Sequence, residues 1–181
     1  MKKITLTLIF TLTIAFVGFS QQWEVFQSYE GKFSVLAPGT FTKKENPIKT
    51  DIGELKYITY LYQPEEKETD NLVYMISYCD YPDYTVHSDS TELVNDFFQA
   101  TVATAVESVE GELSYTTEIS KRDFPGRLWR VVYNEGQATI KTKAYLVENR
   151  YYSVQVITLK EKAFNLKIDK FLDSFVLGDG G

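Results

Sequence analysis

The sequence predicts an α+β fold: a largely antiparallel sheet with helices packed on both faces, an α/β/α sandwich. Three observations carry this expectation. Most of the chain alternates apolar and polar residues with period two, as strands do, while two segments repeat every three to four residues, as helices do. The connections between the last strand segments are only a few residues long, whereas parallel neighbours need a long crossover. The central strand segments carry bulky residues at both parities, so each face of their sheet needs cover, and two amphipathic helices can supply it.

Taken in order, segments 23–27 and 33–37 read as short strands around the turn Tyr29-Glu30-Gly31-Lys32, with Pro38-Gly39 closing the second. Segments 55–62 and 72–81 alternate tyrosines and β-branched residues on either side of the polar stretch 63–71. The clearest helix follows. Ser88, Asp89, Ser90 and Thr91 all offer a helix cap, and Asp89 with Glu92 has capping-box spacing. Leu93, Phe97, Thr101 and Ala105 lie four apart, and Val94, Phe98, Val102, Val106 and Val109 widen their stripe. Gly111 is expected to stop this helix.

Period two returns in segments 113–121, 127–134, 138–147 and 151–159. The turns Asn134-Glu135-Gly136 and Glu148-Asn149-Arg150 are short enough to force an antiparallel meander. A second helix over 163–175 gathers Phe164, Ile168, Phe171, Leu172 and Phe175 on one side. There is no internal repeat and no linker. The expected organisation is a secretory signal peptide at 1–20, one α+β domain at 21–177 and a flexible tail at 178–181.

The leader is read from Lys2 and Lys3, then a 16-residue apolar run from Ile4 to Phe19, then small residues at Gly18 and Ser20. That is the pattern of a secretory signal cleaved before Gln21. The run is shorter than the roughly 20 apolar residues of a comfortable membrane-spanning helix. The alternative is that it stays on as an N-terminal anchor. Paired lysines in a short N-terminal region suggest a bacterial export signal, and periplasm and extracellular space stay equally open. Loss of Lys2 and Lys3 leaves 17 basic against 25 acidic residues, a net charge of −8 on a mature chain of 161 residues.

That acidity argues against nucleic acid, which needs clustered Lys and Arg. One cysteine rules out an intramolecular disulfide framework, and one histidine removes most triad and metal chemistry. Adjacent His87, Ser88, Asp89 and Ser90 point in different directions from one loop and are better used to start a helix. Glu65, Glu66, Glu68 and Asp70 lack the spacing of a calcium loop and read as a solvated hairpin tip. Cys79 sits among apolar neighbours and reads as a buried thiol. No cofactor, metal site or catalytic residue is expected.

Aromatic content is the feature left over: thirteen Tyr, twelve Phe and two Trp. Tyrosine and tryptophan combine apolar area with a polar tip, which suits binding surfaces. Tyr62, Tyr81, Tyr84 and Trp129 lie nearest strand ends or charged neighbours and are the candidate ligand-binding residues.

Three stretches have a familiar form. Tyr29-Glu30-Gly31-Lys32-Phe33-Ser34-Val35-Leu36-Ala37-Pro38 resembles the opening strand of the PsbP-like fold family, of the PsbP/DcrB exported type. Lys143 through Val154, with the turn Asn149-Arg150, and the ending Phe171-Leu172-Asp173-Ser174-Phe175-Val176-Leu177 resemble its close. The resemblance implies that family's order of elements, with a last short strand after the second helix. It also implies a non-catalytic role, since members mostly bind other proteins, and it carries over no functional residue. The expected function is therefore an exported bacterial binding or accessory domain acting through protein–protein contacts at the cell envelope. Its partner is an envelope or secreted protein of unknown identity. The alternative is a carrier of a small ligand (sugar, lipid or peptide) with an aromatic pocket between sheet and helix.

Overall fold

Alternation in the sequence becomes pairing in space in the computed structural model of the protein, which describes residues 23–65 and 69–178. Seven strands form one antiparallel sheet: β3 (Thr42–Thr50), β4 (Gly53–Tyr62), β5 (Val73–Asp80), β6 (Glu112–Lys121), β7 (Phe124–Tyr133), β8 (Ala138–Val147) and β9 (Arg150–Leu159). Their spatial order is β3-β4-β5-β9-β8-β7-β6. The four strands from β6 to β9 are the expected meander. Positive φ at Asn134, Glu135 and Gly136 lets the β7–β8 turn follow the twist of its strands. The leader at 1–20 and the tail residues 179–181 lie outside the described residues; Gly178 donates its N–H to the Lys32 carbonyl at 2.8 Å.

Helix α1 (Thr91–Glu107) separates β5 from β6, and α2 (Leu166–Asp173) follows β9. Side chains of the sheet divide between two apolar clusters. One holds Val94, Phe98 and Val102 of α1 with Trp129, Val131, Ala144, Leu146 and Tyr151. The other holds Ile168, Phe171 and Leu172 of α2 with Tyr74, Ile76, Tyr78, Tyr152, Val154 and Val156. Tyr151 and Tyr152 are neighbours on β9 yet belong to different clusters, as period-two side-chain alternation requires.

Part of the cover on the α2 cluster is a second sheet that the pattern did not announce. β1 (Glu24–Ser28) and β10 (Val176–Leu177) flank β2 (Phe33–Ala37) in the order β1-β2-β10. Phe33 and Val35 of β2 enter the cluster, and Phe33 contacts the rings of Tyr60, Tyr78, Tyr152 and Phe175.

Three local expectations are corrected. Strand β3 has no counterpart in the sequence reading, because it is an edge strand exposed along its whole length and contains Pro47. With neither face buried, no period is imposed on it. The start of α1 is not capped as expected: Ser90 occupies the cap position without a side-chain bond. Ser88 Oγ instead accepts the N–H of Glu148 at 3.0 Å, tying the loop to the β8–β9 turn. Gly111 follows the helix end, but Glu110 takes the left-handed conformation, with φ +48. Glycine is needed at 111 for close approach, since a Cβ there would lie 2.6 Å from Val131 Cγ1 and 2.8 Å from the Val132 carbonyl.

Candidate binding cleft

Small side chains at matching registers open a cleft between α1 and the long sheet. Thr59 on β4 pairs with Ser77 on β5, which pairs with Ser153 on β9. Paired residues share a face, so three hydroxyls form a row across three strands, of which the buried Ser77 and Ser153 line the cleft. The helix side is equally spare: Ala100, Thr101, Thr104, Ala105 and Ser108 fall on one face at helical spacing. The space between has a volume of about 460 Å³, inside the range of roughly 300–1,000 Å³ that small-molecule sites occupy.

Aromatic residues wall this space: Tyr57, Tyr81, Phe97 and Tyr151. Phe97 meets the edges of Tyr81 and Tyr151 in T-shaped contacts at 5.2 and 5.5 Å between ring centres. The Tyr57 and Tyr81 hydroxyls lie 3.0 Å apart. The main chain of Tyr81 is pinned on both sides, its N–H donating to the Asn149 carbonyl at 2.9 Å and its carbonyl accepting from Asn149 Nδ2 at 2.6 Å. Burial holds the phenols of Tyr57, Tyr81 and Tyr151 above the ordinary tyrosine range, so all three stay neutral near pH 7. On the floor, Thr59 Oγ1 and Ser77 Oγ share a hydrogen bond of 2.9 Å, and Gln155 Nε2 donates to Thr142 Oγ1 at 3.1 Å.

Of the four residues singled out from sequence, only Tyr81 lines this cleft. Tyr62 is half-buried beside a larger opening of about 770 Å³ that runs past Lys44 and Glu65. Tyr84 is 81% exposed, and its hydroxyl donates to the Ile52 carbonyl at 3.3 Å. Trp129 is 1% exposed, and its ring fills the core under α1. The four do not converge. Tyr57, Phe97 and Tyr151 complete the aromatic wall instead. Phe97 belonged to the helical stripe, but nothing local in the sequence shows that it meets Tyr81.

The other candidates are also placed. His87 Nδ1 lies 2.7 Å from Asp89 Oδ1 within its own loop, and Ser88 is committed to Glu148. Cys79 is fully buried, and burial pushes its thiol up to about 12. Asp70 pairs with Lys167 at 2.7 Å, while residues 66–68 lie outside the described residues. Among the described residues, no group of three or more His, Cys, Asp and Glu side chains converges to hold a metal. No helix among them is long and apolar enough to cross a membrane.

No family model matches the chain. No curated protein matches it in sequence. A solved structure does match in shape: the solution structure of cyanobacterial PsbP (CyanoP) from Synechocystis sp. PCC 6803. The two superpose with a TM-score of 0.56 over 87% of this chain and 93% of the other, at 12% sequence identity. The fold is PsbP-like. At that identity the likeness speaks for the arrangement of elements and for no individual side chain. The PsbP-like frame thus supplies the scaffold, and the cleft under α1 is described by this chain's own residues.

Proposed function

We propose that this chain is an exported bacterial domain acting without catalysis, as a binding or accessory module in protein–protein contacts at the cell envelope. The PsbP-like fold is the observation that carries the reading, joined by the export pattern of residues 1–20. The arrangement of potential catalytic groups supports it: His87 turns to Asp89 in its own loop, and the Cys79 thiol is buried and protonated. Exposed Phe164 and Leu166 at the start of α2, and Tyr29 before β2, supply apolar contact surface of the kind partners bury. The two helices are taken as cover for opposite faces of the long sheet, supported by the division of Tyr151 and Tyr152 between clusters. Crosslinking in the native envelope followed by capture tests this function. A defined partner in the periplasm or outside the cell is expected, with the mature N-terminus at Gln21. Recovery of the chain alone at high crosslinking yield would count against it.

The second reading is a small-ligand carrier, favoured by the aromatic-walled cleft between sheet and α1. Native mass spectrometry of the protein from its own host tests it, and a bound mass is expected.

A further inference from the structure

The cleft's chemistry narrows what such a carrier would hold. None of its twelve lining residues is charged. Its neighbours differ: the groove on the β6 side of α1 includes Glu107 and Arg127, and the opening beside Tyr62 includes Lys44 and Glu65. A charged ligand held here would lose hydration with no counter-charge in the wall to replace it. A lipid chain fits poorly too, because it would cover the spare hydroxyl hydrogen of the Thr59–Ser77 pair and the Gln155 amide oxygen without giving either a partner. An extended peptide finds no free main chain on the cleft floor, since β5 and β9 are paired on both sides there and β4 is paired to β5 from Ile58 to Tyr62.

What remains is a ligand with an apolar face and several neutral hydroxyls. The wall is equipped for it. Two hydroxyls bonded to each other use one hydrogen and leave one, so the Tyr57–Tyr81 pair and the Thr59–Ser77 pair each keep a donor. The Gln155 side chain donates to Thr142 and keeps its carbonyl oxygen as an acceptor. Tyr81 and Phe97, both half-buried, offer ring surface for stacking.

We propose that the cleft under α1 binds a neutral saccharide unit, stacked on the Tyr81–Phe97 wall and hydrogen-bonded by the hydroxyl row of Ser77 and Ser153 with Gln155. This rests on the small-ligand reading. The test is an NMR titration of the mature protein with cellobiose, maltose and N,N′-diacetylchitobiose at millimolar concentration. At least one sugar should shift amides of Ser77, Thr101, Ser153 and Gln155 selectively. Tyr81→Phe, which keeps the ring, should weaken binding roughly three- to tenfold, the loss of one hydrogen bond. Thr104→Glu, at the exposed rim, should abolish it without disturbing the fold, and Tyr84→Ala should bind as the parent does. No shift with any of the three sugars overturns the proposal. If a fatty acid or a tripeptide shifts the same amides while the sugars do not, the saccharide assignment falls and the carrier reading stands. If nothing shifts them and the host-purified protein carries no bound mass, both fall.

Discussion

The hydroxyl of Tyr57 on β4 lies 3.0 Å from that of Tyr81 just beyond β5, and both phenols are held protonated above their ordinary range. Burial is the leading cause in each case. The same holds for Tyr74, Tyr78, Tyr145, Tyr151 and Tyr152, with Tyr145 pushed up to about 12.

Alkaline sensitivity follows from this with a definite sign. In the unfolded chain these phenols ionise near pH 10, while in the folded protein they keep their protons to higher pH. The unfolded state therefore binds fewer protons above about pH 10, and stability falls as pH rises from there through the folded values. Urea midpoints should hold level from neutral pH to about pH 9 and then drop steeply toward about pH 11. The Tyr57→Phe, Tyr81→Phe double variant should show a shallower drop. A midpoint unchanged to about pH 11 would contradict the burial of these groups.

Trp129 and Tyr84 are both large aromatics, yet they should respond oppositely to truncation. Trp129 is 1% exposed and packs with Phe98 and Val131, whereas Tyr84 is 81% exposed. Trp129→Ala leaves a cavity under α1 and should cost about 3–5 kcal/mol. Tyr84→Ala should stay within about 0.5 kcal/mol of the parent. Chemical denaturation of the two variants decides this. Equal losses would mean that the helix does not pack on Trp129 as described.

Local pattern carried most of the long sheet and little of the cleft. Strand β2, buried at every second residue, shows period two, and the central strands β5 and β9, buried at both parities, advertise themselves by their apolar and β-branched runs. Strand β3 does not, since Lys43, Lys44, Pro47 and Lys49 are all exposed and it is held by main-chain pairing with β4 and surface ion pairs such as Glu45–Lys56 rather than by burial. Lysines and a proline on an edge also discourage pairing with another chain, which is why such a strand looks like a loop on paper. The cleft depends on the row Thr59–Ser77–Ser153, and the last link joins residues far apart in sequence. No window of the sequence contains that pairing. For the same reason Tyr81 was found by its position at a strand end while its partner Tyr57 was not.

Two glycines should behave differently on acquiring a methyl group. A Cβ at Gly126 on β7 would lie 2.4 Å from the Ala144 carbonyl oxygen, which belongs to the main chain of the paired strand β8. A Cβ at Gly39 would also meet an atom at 2.4 Å, but that atom is the outer ring of Tyr62, which borders open space. Main chain within a sheet cannot move alone, whereas a ring at a cleft edge can swing. Gly126→Ala should therefore cost about 1–3 kcal/mol, and Gly39→Ala clearly less. Thermal melts of the pair, run side by side, check the order. A larger loss at Gly39 would reverse it.

Asn165 should be a costly polar side chain to remove, because it serves two structures at once. Its Oδ1 accepts the N–H of Lys167 at 3.1 Å and so caps α2. Its Nδ2 donates to Asn71 Oδ1 at 2.8 Å, and Asn71 is buried, passing the network on through Nδ2 to the Tyr74 hydroxyl at 2.8 Å. Loss of a cap typically costs about 1 kcal/mol. Leaving a buried amide oxygen without a donor adds about 1–3 kcal/mol. Asn165→Ala should thus destabilise by about 2–3 kcal/mol, with α2 loosening first in hydrogen exchange. Asn165→Asp separates the two roles. It keeps the capping oxygen but removes both amide donors, so its loss should fall between the parent and the alanine variant. An alanine variant within about 0.5 kcal/mol of the parent would show that the Asn71–Asn165 pair is exchanged for water at no cost.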